Sequence, residues 1–140
     1  VGVFVSPQKE EVEEACRVVG LDLIQVHGPM DETILLEFPL QTIRAVQVGK
    51  DRALPETGAA YLLFDAPVAG SGETFNWQEL ENQNFTKPFF VAGGLTADNV
   101  ADAIRFFHPY AVDVSSGVET NGIKDQDKIK RFIERVKHGI

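Results

Sequence analysis

A chain of 140 residues is the length of one domain with room for a substantial core, and its 44% hydrophobic and 24% charged content is that of an ordinary folded globular protein. The net charge of −8 argues against nonspecific binding to nucleic acid or to an anionic membrane surface, since both need a basic patch, so an anionic ligand must be held by local groups. The single cysteine, Cys16, excludes an internal disulfide framework, and with no apolar stretch of transmembrane length and no signal-peptide pattern the expected location is the cytoplasm.

The chain opens without an initiator methionine, directly in a strand-like run at residues 1–5, as a truncated chain would. Further apolar runs rich in β-branched and aromatic residues follow at residues 21–26, 42–48, 60–64, 88–92 and 110–114. Most are nearly continuous rather than alternating, the pattern of parallel strands covered on both faces. After the first run, residues 7–19 place Val12, Ala15, Cys16 and Val19 at helical spacing, with Ser6 and Pro7 as a cap and first-turn pair and Gly20 as a stop. Residues 30–38 and 51–57 predict short, weakly helical crossovers, and residues 69–73 a glycine-rich loop after the fourth strand. Helices are expected over 97–107, on Val100, Ala103, Ile104 and Phe107, and over 125–137, on Ile129, Phe132, Ile133 and Val136. The charged residues of 124–137 read as the solvated face of that last helix.

This is an α/β chain of about six βα units, compatible with a doubly wound open sheet or with part of a (βα)8 TIM-type barrel. A dinucleotide fold would put its glycines after the first strand, where this chain has Ser6-Pro7-Gln8-Lys9. The glycines come late instead, in Val91-Ala92-Gly93-Gly94-Leu95 and Val112-Asp113-Val114-Ser115-Ser116-Gly117-Val118. Strands ending in such turns let backbone approach an anion, and a following helix points N–H groups at it, as in the phosphate sites after the last two strands of a barrel. The barrel reading is therefore preferred, with a phosphorylated small molecule as ligand.

Asp65 ends the fourth run, where a carboxylate on the rim of a barrel suits general acid work or else caps the next turn. Gly70, Ser71 and Gly72 suggest a lid, with Phe75 and Trp77 anchoring the segment that follows. Gln25 and His27 share one face of the second strand and point toward the barrel mouth; without a second histidine or a cysteine at ligand spacing, no metal is expected. Asp113, inside an apolar run, needs a partner, either substrate or protein. Cys16 sits on the apolar stripe of its helix and is expected to be inert, while His108 and His138 are not placed for catalysis.

These segments, in order from residues 1–5 through Ile24-Gln25-Val26-His27-Gly28, Leu63-Phe64-Asp65 and the loop 70–77 to Ala92-Gly93-Gly94-Leu95 with Asp98-Asn99-Val100 and the stretch 112–119, resemble the phosphoribosylanthranilate isomerase family, (βα)8 barrels of tryptophan biosynthesis. The resemblance implies a cofactor-free Amadori rearrangement of N-(5'-phosphoribosyl)anthranilate to 1-(2-carboxyphenylamino)-1-deoxyribulose 5-phosphate. It implies Asp65 as general acid toward the ribose ring oxygen, Gly93, Gly94, Ser115, Ser116 and Gly117 around the phosphate, Asp113 near the amino nitrogen, and Gln25 and His27 lining the pocket. On the same grounds the chain is one partial barrel domain over residues 1–140, corresponding to strands 3 to 8 of the family barrel. The family's Lys-Ile-Cys-Gly segment with its general-base cysteine, and its carboxylate-binding arginine, have no counterpart here. Asn121 also stands where the family commonly has proline. The expectation is an inactive or impaired fragment whose open sheet edges favour self-association. The alternatives are another phosphate-binding barrel enzyme, such as a thiamin-phosphate-synthase-like or indole-glycerol-phosphate-synthase-like protein, although Lys50 and Lys87 lie in connecting segments rather than at strand ends, or a noncatalytic partial barrel that binds a phosphorylated ligand.

Overall fold

Six strands lie side by side in chain order: β1 (Gly2–Val5), β2 (Ile24–His27), β3 (Thr42–Gln47), β4 (Tyr61–Asp65), β5 (Phe89–Ala92) and β6 (Ala111–Val112), every neighbouring pair parallel. The computed structural model describes residues 1–47, 56–65 and 86–138. A doubly wound sheet reverses its strand order at a switch point; this sheet never reverses, which leaves the barrel type. Among the described residues no helix is long and apolar enough to cross a membrane.

Each parallel step needs a crossover. Helix α1 (Lys9–Ala15) follows β1 and runs into a π turn (Cys16–Gly20) that Gly20 ends at φ +70°. After β2 comes a 3-10 helix (Glu32–Glu37), capped by Asp31, whose carboxylate accepts the Thr33 N–H at 3.0 Å. Helix α2 (Val100–Phe107) follows β5. Beyond β6 the chain makes a 3-10 turn (Ser116–Val118), a hairpin of β7 (Glu119–Thr120) and β8 (Ile123–Lys124), and helix α3 (Gln126–His138). The connections after β3 and β4, including most of the 51–57 crossover and the whole glycine-rich loop with Phe75 and Trp77, lie outside the described residues.

Several expected boundaries move, for physical reasons. Ser6 does not cap α1: its N–H donates to the His27 carbonyl at 2.8 Å, carrying the β1–β2 ladder one residue further, and its hydroxyl donates to the Pro29 carbonyl at 2.8 Å. Helix α1 accordingly starts later, behind Gln8. Strand β1 alternates, leaving Val3 63% and Val5 73% exposed on the face shared by Gln25 and His27, their register partners on β2. The apolar stripe of α3 is narrower than its sequence spacing suggests, because Phe132 is buried whereas Ile133 is 46% exposed. Asn121 and Gly122 both take positive φ, +52° and +76°, as a two-residue hairpin loop requires. Proline, fixed near −65°, could not adopt the Asn121 conformation.

Among the described residues three apolar clusters cover the outer face of the sheet, the smallest being Leu62 and Phe64 of β4. Val12, Ile24, Val26, Leu35 and Phe38 pack between the sheet and its first crossovers, and Val91, Leu95, Val100, Ala103, Val118 and Phe132 pack under α2 and α3. On the inner face Ile43, Leu63 and Ala92 form another. Each large side chain so enclosed stabilises the fold by about 1.5–3 kcal/mol relative to exposure. Arg44, in the middle of β3, is only 7% exposed. Its guanidinium donates to Glu32 Oε1 at 2.7 Å and to the carbonyls of Val26 and Gly28 at 3.2 and 2.8 Å, which fixes the loop that leaves β2.

The last two turns of the sheet meet backbone to backbone. A Cβ placed on Gly117 would lie 1.8 Å from the Leu95 carbonyl oxygen, closer than any side chain permits. Gly117→Ala is therefore expected to destabilise the protein by about 3 kcal/mol, read as a fall in Tm; an unchanged Tm would show that the turns can part freely.

The hairpin and α3 share Asp125. A hydrogen bond from the Thr120 hydroxyl, reinforced by the N–H groups of Lys128 and Asp127, holds its carboxyl below the ordinary value of 3.8. A pKa lowered by folding contributes stability above the unfolded value and loses it as pH falls through the folded one. The stability gap between the parent protein and Asp125→Asn, followed by urea melts across the acid range, is expected to close as pH drops through that lowered value.

Candidate active site

The C-terminal ends of the strands converge on one cavity of about 350 Å³, within the range of small-ligand pockets. Strand β2 contributes Gln25 and His27, β4 contributes Leu63 and Asp65, β5 ends there in Ala92, Gly93, Gly94 and Leu95, and the chain beyond β6 adds Asp113 through Gly117. All nine site residues expected from the sequence therefore line a single cavity. Register explains the convergence. Asp65 pairs with Ala92 across β4 and β5, and the Asp113 N–H donates to the Val91 carbonyl at 2.9 Å, so the end of β4, the Gly93-Gly94 turn and Asp113 reach the same level.

Gln25 and His27, two apart on one strand, touch: the Gln25 amide donates to His27 Nε2 at 2.8 Å. In the neutral ring this makes Nε2 the acceptor and leaves the proton on Nδ1, free to be offered to a ligand. Asp113 departs from its expected setting. The strand stops at Val112, so Asp113 stands exposed at the rim instead of buried in an apolar run, and solvation removes the need for a protein partner.

The two glycine turns also differ from one another. Gly93 and Gly94 take φ of +87° and +60°, conformations that L side chains resist. No helix follows them directly; α2 begins at Val100, after a turn held by Asn99, which accepts the Thr96 N–H at 2.8 Å and donates to the Gly94 carbonyl at 2.9 Å. At the second turn the 3-10 segment Ser116–Val118 does follow Ser115 immediately. Here Lys124, expected on a solvated helix face, lies on β8 instead, and its ammonium donates to the Ser115 carbonyl at 2.9 Å and hydroxyl at 3.1 Å. Asn99 and Lys124 were not legible as site supports. Only the Asn121-Gly122 dipeptide, a hairpin signal, hinted that the chain turns back.

The described part of the wall carries two carboxylates, an imidazole, two serines and glycine backbone, with no lysine or arginine. Among the described residues no group of three His, Cys, Asp or Glu side chains could hold a metal. Cys16 lies away from the cavity, packed against the outer cluster of Val12 and Ile24. Lys87 donates to the Thr57 and Ala59 carbonyls at 2.7 and 2.6 Å, bracing the entry to β4 at the end of the strand opposite Asp65. The strand-end carboxyl of Asp65 and both glycine turns share this wall.

The family profile described as N-(5'phosphoribosyl)anthranilate (PRA) isomerase matches residues 1–135. The N-(5'-phosphoribosyl)anthranilate isomerase of Streptococcus mutans is 62% identical over 137 residues, 98% of this chain and 71% of that protein. The crystal structure of phosphoribosyl anthranilate isomerase from Thermotoga maritima superposes with a TM-score of 0.79 at 31% identity, over 99% of this chain and 72% of that one. Another crystal structure of the isomerase, in complex with reduced 1-(o-carboxyphenylamino)-1-deoxyribulose 5-phosphate, gives a TM-score of 0.82 at 32% identity, over 99% and 71%. With its profile, its sequence and its fold in agreement over nearly every residue, this chain belongs to the N-(5'-phosphoribosyl)anthranilate isomerase family.

Proposed function

We propose that the cavity binds N-(5'-phosphoribosyl)anthranilate and isomerises it to 1-(2-carboxyphenylamino)-1-deoxyribulose 5-phosphate, with Asp65 as general acid. The observation that carries this reading is the placing of one strand-end carboxyl, Asp65, on the same cavity wall as both glycine turns. The isomerised ligand is phosphorylated at one end and reacts at the other, so a grip and an acid on one wall are what it needs. Gly93, Gly94, Ser115, Ser116 and Gly117 hold the phosphate.

Asp65 gives its proton to the ribose ring oxygen as the C1–O bond breaks, and the amino nitrogen's lone pair closes a C=N bond. Positive charge develops at that nitrogen, where the Asp113 carboxylate favours it. Loss of the C2 proton then gives an enol-amine, which returns a proton to C1 and becomes the ketone. Carbon 2 is oxidised and carbon 1 reduced, so the exchange is internal. Gln25 and His27 line the pocket beside Asp65. The base for the C2 proton is assigned to no residue of this chain, because the 140 residues contain no Lys-Ile-Cys-Gly segment and Cys16 packs on the outer cluster.

The six strands correspond in this reading to strands 3 to 8 of an eight-stranded barrel, residues 1–140 forming one domain unit. The exposed β1 edge offers a surface for pairing with a second copy, and the reaction belongs in the cytoplasm.

Asp65→Asn, made in the natural full-length gene product, should cut kcat by at least about a hundredfold. Binding of the reduced aminoketose phosphate, measured by calorimetry, should stay within a few-fold. Near-normal turnover would reject Asp65 as the acid.

A further inference from the structure

The chain must hold a phosphate dianion although its own net charge is −8 and the described cavity wall carries no lysine or arginine. The nearest answer in the structure is one hydrogen bond behind the wall. Lys124 reaches from β8 to the Ser115 carbonyl at 2.9 Å, to the Ser115 hydroxyl at 3.1 Å and to Glu119 Oε1 at 2.6 Å. Glu119 and Lys124 are register partners across the β7–β8 hairpin, so the Asn121-Gly122 turn sets the reach of the ammonium. The base of the hairpin is fixed in turn by Lys128, which donates to the Glu119 carbonyl at 2.6 Å.

We infer that Lys124 is a positioning residue for the phosphate grip: it orients Ser115 as a hydrogen-bond donor toward the anion. A hydroxyl has one proton to give. With its oxygen already accepting from an ammonium, the Ser115 hydroxyl turns that proton away from Lys124, and the cavity is the open side. The second bond, to the Ser115 carbonyl, holds the backbone at φ −121°, ψ −82°, outside the helical and extended regions and directly before the 3-10 turn. Glu119 neutralises most of the lysine charge, so the contribution is chiefly one of aim. This assignment rests on the phosphate-site reading of the cavity.

Its test uses calorimetric binding of the reduced aminoketose phosphate to the full-length gene product, against the same compound without phosphate, together with Tm. Lys124→Met is expected to weaken the phosphorylated ligand about tenfold while leaving the dephosphorylated one and Tm nearly unchanged. Lys124→Arg should recover most of the loss. Glu119→Gln, which uncovers the ammonium without removing it, is expected to tighten the phosphorylated ligand. Equal affinity in Lys124→Met and parent overturns the inference, as does an equal loss for both ligands, which would mark Lys124 as merely structural. If the parent itself does not prefer the phosphorylated compound, the phosphate-site reading fails and takes this inference with it.

Discussion

The contact between Gly117 and the Leu95 carbonyl is the constraint on which the site depends. Two turns that follow different strands are pressed together until no Cβ fits between them, and that closeness sets both turns on one cavity wall. Everything nearby serves the same apposition. Asn99 ties the first turn from its own crossover, Lys124 ties the second from the hairpin, and Arg131 on α3 reaches Asp98 at 3.2 Å across the outside. The cluster around Val118, Leu95 and Phe132 backs the pair with apolar packing. Each turn of this wall is thus tied from a separate element.

The other side of the cavity is held differently. His27 and Gln25 end a strand whose exit loop is fastened by a buried guanidinium, and Arg44 directs its donors to Glu32 and to three carbonyls, those of Val26, Gly28 and Ala45. Taking a guanidinium out of water is costly unless every donor finds an acceptor. The gain here is geometric. Carbonyls of Val26 and Gly28, on either side of His27, are fixed by one side chain, so the imidazole leaves the sheet at a set angle without help from a ligand.

What was legible in the sequence is what depends on strand ends. Asp65, Gly93, Gly94 and the stretch 113–117 each follow an apolar run, and a parallel sheet in sequential order brings all such ends to one side; position along the strand was enough. The two-residue spacing of Gln25 and His27 gave their shared face in the same way. Features that depend on where a chain goes after leaving the sheet were less visible. Ser6 reads as a cap because serine before proline favours one, yet the ladder claims its N–H. Lys124 reads as helix surface because its neighbours in sequence are helical, yet a hairpin carries it back to Ser115. Arg44 hides in a run that is otherwise apolar, and only the cost of burying its charge signals that partners must exist.

The bare wall has a further consequence for how a ligand arrives. A substrate bearing a phosphate and a benzoate meets a chain of net charge −8 whose described cavity wall carries no lysine or arginine, and the half-exposed Lys124 beside Ser115 is already paired with Glu119, so the encounter is one of like charges. At low ionic strength that repulsion extends over tens of ångströms and slows association; salt shortens it to about 10 Å near 0.1 M. The hydrogen bonds that take over inside are short-ranged and little affected. Capture by this acidic chain thus quickens as salt is added, the reverse of a site that steers its anion with lysines.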